Sequence, residues 1–162
     1  MEFDAAFDHL LGLEGGYSFH ADDPGRETMW GVTARVARSH GYTGDMSRLP
    51  RETAKAIYRA SYWNAIRADE LPEALRYTVF DAAVNSGVRQ AIRWLQRAVD
   101  VADDGVLGSM TMAAARRADG LRTAVEFNGH RLDLMTSLPT WNAFGKGWSR
   151  RIADELLRLA RA

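Results

Sequence analysis

Glu14-Gly15-Gly16-Tyr17 and, a few residues on, Asp23-Pro24-Gly25-Arg26-Glu27-Thr28-Met29-Trp30-Gly31-Val32-Thr33 form the stretch on which the reading of this 162-residue chain turns. Upstream, Phe3, Phe7, Leu10, Leu11 and Leu13 recur at three- and four-residue spacing, which predicts a helix with one apolar face. Paired glycines supply the positive φ that stops a helix, so Gly15-Gly16 is expected to end it with Glu14 in the last turn. The macrodipole is negative there, and Leu13 and Tyr17 are apolar neighbours. Both effects disfavour an ionised carboxylate and raise its pKa, as a general acid requires. The plainer alternative is a solvated Glu at a frayed helix end.

Downstream, Asp22 and Asp23 precede Pro24-Gly25, a dipeptide that forces a turn and fixes nearby side chains at low entropic cost. Hydrolysis of a glycosidic bond needs one carboxylic acid to protonate the leaving oxygen. It also needs a second polar group to activate water or stabilise an oxocarbenium-like state. Glu14, Asp23 and Thr28 are the candidate catalytic residues on that logic. Trp30-Gly31 sets a flat aromatic face beside a position with no side chain, which suits either a sugar ring or the anchoring of the loop in a core.

Together with further motifs, these residues resemble glycoside hydrolase family 108, the phage endolysin and secretion-muramidase family. The similarity runs through Tyr42-Thr43-Gly44-Asp45-Met46, Ala56-Ile57-Tyr58-Arg59 with Tyr62-Trp63, and Phe80-Asp81-Ala82-Ala83-Val84-Asn85-Ser86-Gly87. In the second half, Trp94-Leu95-Gln96-Arg97-Ala98, Asp104-Gly105-Val106-Leu107-Gly108 and Phe144-Gly145-Lys146-Gly147-Trp148 resemble the peptidoglycan-binding region found with that family. The resemblance implies a mainly α, lysozyme-like helical fold with a short irregular or β-containing active-site loop near the N-terminus. It divides the chain into a catalytic region, 1–87, and a helical peptidoglycan-binding-like region, 88–162, packed into one unit with the first. The implied activity is that of an N-acetylmuramidase cutting between N-acetylmuramic acid and N-acetylglucosamine. No cofactor or metal is implied, and the partner is the peptidoglycan glycan strand.

The pattern departs from the family at one point: Gly25 is followed by Arg26, where a second glycine is usual. An Arg at a positive φ costs stability, so this loop is expected to differ in shape. Phage-type lysozymes use a Glu, Asp, Thr order with similar separations. The nine positions from Glu14 to Asp23 fit that order, and the spacing leaves open whether Asp22 or Asp23 faces the cleft. Carboxyl groups roughly 6.5 to 9.5 Å apart would invert configuration, and roughly 5 to 5.5 Å would favour a covalent intermediate. Inversion is the expectation.

Composition agrees with this class. A chain that is 46% hydrophobic holds one or two small cores, and a domain of this size buries roughly 70% of its unfolded surface. The absence of Cys excludes disulfides and thiolate chemistry and fits synthesis in a reducing cytoplasm. Met1-Glu2-Phe3-Asp4 carries no basic segment before an apolar run, so no secretory signal is read, and no stretch is long and apolar enough to span a bilayer. The resemblance then implies release to the wall through a holin or similar route. Net charge is zero but uneven: residues 1–86 hold 9 Lys+Arg against 13 Asp+Glu, and residues 87–162 hold 12 against 8. The basic half suits an anionic polymer, but a mild bias of this size is ordinary for a solvated surface. No nucleic-acid motif is present, and a monomer is expected.

The rest reads as helices. Thr33 caps 34–39, Pro50 precedes 51–62, Pro72 opens a central helix to Ser86, and further helices span 88–99, 109–117 and 121–137. Leu138-Pro139-Thr140 is expected to break the preceding helix, and Gly145-Lys146-Gly147-Trp148 to precede a last amphipathic helix. That helix places Trp148, Ile152, Leu156 and Leu159 on one side and Arg150, Arg151, Glu155 and Arg158 on the other. Asp81 and Asn85 lie four apart and share a helical face that could line a cleft. Tyr17, Trp30, Tyr62, Trp63, Asp81, Asn85 and Trp148 are the candidate substrate-binding residues, with core packing the competing role for the tryptophans. Asp103-Asp104-Gly105 invites a calcium reading but lacks the ligand alternation and terminal Glu of such a loop, so a plain turn is expected.

His9, His20, His40 and His130 show no metal-ligand spacing, and no nucleophile elbow or phosphate loop appears. Two other functions compete with hydrolysis. One is a lytic transglycosylase, which also relies on one Glu and returns an anhydro sugar. The other is a non-catalytic wall-binding module.

Overall fold

Helix α1 (Phe3–Leu11) buries Phe3, Ala6 and Phe7 on one face and stops at Gly12, whose φ of 55° is a left-handed conformation that glycine adopts without penalty. This corrects the expected end at Gly15-Gly16: the stop signal is the glycine one turn earlier, so α1 is shorter than the apolar spacing predicts. The computed structural model describes residues 1–12, 16–19 and 27–161. Among them the chain has a mainly α, lysozyme-like fold of eight α-helices with a small antiparallel sheet near the N-terminus. Two compact units form, one spanning residues 2–64 and the other residues 65–162 with Met1.

In the first unit, β1 (Ser18–Phe19), β2 (Glu27–Met29) and β3 (Val32–Thr33) pair in that order. The turn from β2 to β3 is only two residues, Trp30 at φ 53° and Gly31 at φ 73°, the doubly left-handed geometry that matches the twist of a tight hairpin. Thr33 ends β3 and caps α2 (Ala34–Ser39), its hydroxyl accepting from the Val36 N–H at 3.4 Å. Helix α3 (Arg51–Tyr58) follows Pro50 and continues as a π-helical turn over Arg59–Trp63. Its buried residues Ala54, Ile57 and Tyr58 join those of α1, with the Phe7 and Tyr58 rings 5.3 Å apart and edge-on.

The second unit is built around α4 (Glu73–Ser86). Leu75, Tyr77, Thr78, Val79, Phe80, Asp81, Ala82 and Ala83 are all buried, so this helix is covered on nearly every side, as a central helix must be. Pro72 precedes it and Gly87, at φ 86°, separates it from α5 (Val88–Ala98), as the punctuation of the sequence predicts. Residue 87, the expected limit of the catalytic region, thus lies inside this unit. Helices α6 (Ser109–Arg117) and α7 (Gly120–Thr136) follow, the latter capped by the Asp119 carboxylate on the Arg122 N–H at 2.8 Å.

Helix α8 (Trp141–Leu159) departs from expectation in two ways. It runs unbroken through Gly145 and Gly147. Gly145 is buried beneath the Trp141 ring, where an added Cβ would sit 2.6 Å from the nearest ring atom, so this glycine meets a packing need and is no breaker. Its buried seam is Ile152, Glu155 and Leu159, with Leu156 38% exposed. Glu155, expected on the polar side, is held inside by Thr78, whose hydroxyl donates to it, and by Arg158 at 2.8 and 2.9 Å.

A candidate substrate-binding surface

The sheet of the first unit presents a line of hydroxyls. Ser18 pairs with Thr28 and Thr28 with Thr33, so the three side chains share one face, with the half-buried Thr28 on the central strand. On the opposite face, Tyr17 Oη donates to Glu27 Oε1 at 3.0 Å, and that carboxylate raises the phenol's pKa. Tyr17 is 44% exposed and stands open to a ligand.

Trp30 is half-buried, and its indole N–H donates to the Leu49 carbonyl at 2.9 Å. The ring is thereby fixed while the backbone holds a left-handed conformation that costs a non-glycine residue roughly 1–2 kcal/mol. Gly31 leaves room for Tyr58, whose hydroxyl would collide with a Cβ there. Tyr62, on the π-helical turn, is half-buried with its ring 5.6 Å from that of Tyr58. Trp63 has no exposed surface and packs edge-on against Phe3 at 5.3 Å. Its expected contact with substrate is corrected to a place in the core of this unit. Glu14 and Asp23, the candidate acid and its partner, lie outside the described residues, as does Asp22. The helix-terminus argument for Glu14 loses its premise, because α1 ends at Leu11.

In the second unit, Asp81, Asn85 and Trp148 are brought to one place. Asp81 is 1% exposed: its Oδ2 accepts from Arg131 Nη1 at 2.7 Å, and its Oδ1 pairs with Arg151 Nε at 3.1 Å. Asn85 donates to the Asp81 carbonyl at 2.8 Å and accepts from Arg151. The spacing of Asp81 and Asn85 correctly puts them on one face, but the carboxylate itself is directed to two guanidiniums, so direct contact of that group with substrate is corrected to a role in holding the arginines. Beside this network lies a pocket of about 290 Å³, walled by Leu134, Met135, Leu138 and Trp148 and reached by Asn85 and Arg151. Trp148 continues outward as an aromatic strip along α8, 5.8 Å from Phe144 and 6.2 Å from Trp141.

Sequence reasoning missed Arg131. The signal was present, since Arg131 falls four residues after Phe127 and four before Met135, on the buried stripe of α7. A charged residue on an apolar stripe marks a buried partner or a site. At Asp104 the plain turn is what forms: its carboxylate accepts from the Val106 N–H and from Gln96, both at 2.8 Å, and these bonds hold it below the usual carboxylate range.

Residues 7–87 match the family model described as glycosyl hydrolase 108. Among solved structures, that of Brucella abortus SagA is similar to this chain at 34% identity, covering 98% of this chain and 94% of that one, with a TM-score of 0.85. No protein of curated function matches the sequence.

Proposed function

Since the chain belongs to glycosyl hydrolase family 108 and is a glycoside hydrolase, we propose that it cuts the β-1,4 bond between N-acetylmuramic acid and N-acetylglucosamine in peptidoglycan. The observation that carries this reading is the family match over residues 7–87, a span that holds Glu14, Asp23 and Thr28 in an order and with separations similar to those of phage-type lysozymes. Glu14 acts as general acid on the leaving oxygen. Asp23 stabilises positive charge at the anomeric carbon or holds water, and Thr28 orients that water. The half-buried position of Thr28 on the central strand supports its part, because a hydroxyl fixed by a sheet loses little entropy on meeting a ligand. Trp30 and Tyr17 supply aromatic faces to the sugars.

In this reading residues 88–162 help to hold the wall polymer. The enzyme is made in a bacterial cytoplasm and reaches its substrate through a holin or similar route. Mass spectrometry of purified peptidoglycan after digestion tests the bond and the reaction together. Products ending in a reducing muramic acid are expected. Products ending in an anhydro sugar would replace hydrolysis with a transglycosylase, and reducing ends on N-acetylglucosamine would move the cut to the other bond.

A further inference from the structure

Two residues that line the pocket of the 65–162 unit carry donors without a hydrogen-bond partner among the described residues. Arg131 lines it with no exposed surface and spends one nitrogen, Nη1, on Asp81. Its Nε and Nη2 are buried without a hydrogen-bond partner. Those two nitrogens form one edge of the guanidinium, with parallel N–H bonds that match the two oxygens of a carboxylate. Trp94 lines the same pocket, and its buried indole N–H also lacks an acceptor.

Charge points the same way. Asp81 is shared between Arg131 and Arg151, so two guanidiniums face one carboxylate; the second, Arg151, is 37% exposed and leaves a net positive charge at the pocket's solvent side. A monoanion entering the pocket would meet that charge as well as the unmatched edge of Arg131. The remaining walls, Leu134, Met135 and Leu138 with the Trp148 ring, favour an anion carried on an apolar or amphipathic body.

We propose that this pocket is a carboxylate-binding subsite that recognises the acidic group appended to muramic acid, and not the neutral sugar. The identity of the ligand rests on the peptidoglycan reading above, whereas the carboxylate chemistry rests on the unmatched edge of Arg131. Two groups offer that chemistry: the lactyl carboxylate of peptide-free muramic acid, and the carboxylates of the stem peptide once the lactyl group is amidated.

The test is a titration of the ¹⁵N-labelled wild-type protein followed at the assigned indole resonances of Trp94 and Trp148. Peptide-free N-acetylmuramic acid, muramyl dipeptide, a muramyl dipeptide with both peptide carboxyls amidated, and chitotriose are the four probes. Saturable shifts at both indoles with either or both of the first two, and none with the last two, are expected; which acid acts identifies the source. Arg151→Gln should weaken that binding at least fivefold. Arg131→Lys, which keeps the charge and loses the planar edge, should abolish it where the variant folds. The proposal is overturned by no shift with any acid, by equal shifts with chitotriose or the amidated probe, or by an Arg151→Gln variant that binds as wild type. Turbidity of purified walls on the same preparation separates the two readings. Lysis without indole shifts removes the subsite and leaves the enzyme, and acid-dependent shifts without lysis do the reverse.

Discussion

Arg131 and Asp81, fifty positions apart in the chain, meet in the second unit at 2.7 Å with side-chain exposures of 0% and 2%. No other ion pair among the described residues is as deeply buried on both sides. Its environment allows neither partner to turn to water if the other is lost.

Asp81→Asn should therefore destabilise strongly, by about 3–5 kcal/mol, because removing one partner of a buried pair strands the other charge. Asp8→Asn acts on the exposed pair with Arg51, at 2.5 Å, and should barely move the urea midpoint. Equal shifts in the two midpoints would contradict this ordering.

Within α8 the two glycines should respond in opposite ways to alanine. Gly147 has no atom within 4 Å of an added Cβ, so Gly147→Ala should gain roughly 0.5–1 kcal/mol of helix propensity. At Gly145 the same gain is offset by displacement of the Trp141 ring, and the tryptophan emission should change with it. Thermal unfolding of the pair decides: similar stabilisation with unchanged emission would mean the ring is not seated there.

Trp30→Phe removes the hydrogen bond to Leu49 and keeps an aromatic face. A loss of about 1 kcal/mol in stability is expected from the hydrogen bond. KM on soluble glycan should change by less than it does in Trp30→Ala if the ring also meets sugar. Identical KM values for Phe and Ala would confine Trp30 to structure.

Asp104 sets an acid limit. The Val106 N–H, with Gln96 adding to it, lowers the folded pKa from an ordinary value near 3.8. The stabilisation is therefore present above about pH 4 and is lost as pH falls through the lower folded value. Asp103, lowered by its bond to Arg97, acts in the same direction. The melting temperature should fall below about pH 4 in the wild type and fall less steeply in Asp104→Asn. Parallel curves for the two proteins would assign the acid sensitivity elsewhere.

What was legible followed from punctuation. Pro72, Gly87 and the Thr33 cap delimit helices because each acts through its own backbone, and α6 begins and ends where the spacing predicts. Glycine misled in both directions. Gly12 ends α1 ahead of the more conspicuous Gly15-Gly16, and Gly145, read as lying ahead of the last helix, sits inside it beneath a ring. The strands are two and three residues long, too short for an alternation to register, and the turn between two of them uses a left-handed Trp30 that no local preference favours. Long-range pairing was the least visible. The stripe position of Arg131 marks it as buried, but nothing adjacent to it announces Asp81, and nothing near Glu155 announces Thr78, so the partners of both buried charges stay hidden along the chain.

Thr28→Ala tests the water-orienting role proposed for that hydroxyl. The hydroxyl lies on a strand held from both sides, so the fold should survive. A fall in kcat of about 10²-fold or more with little change in KM is expected of a group that acts on the reacting water. A change confined to KM would make Thr28 a binding residue only.

The most direct test of the central claim is the rate at which Glu14→Gln clears a suspension of purified cell walls, with circular dichroism and wall binding measured on the same sample. The substitution keeps size and polarity and removes the transferable proton. Loss of clearance by a folded, wall-binding variant is the predicted result. Clearance at the wild-type rate would contradict it and place the acid on another side chain.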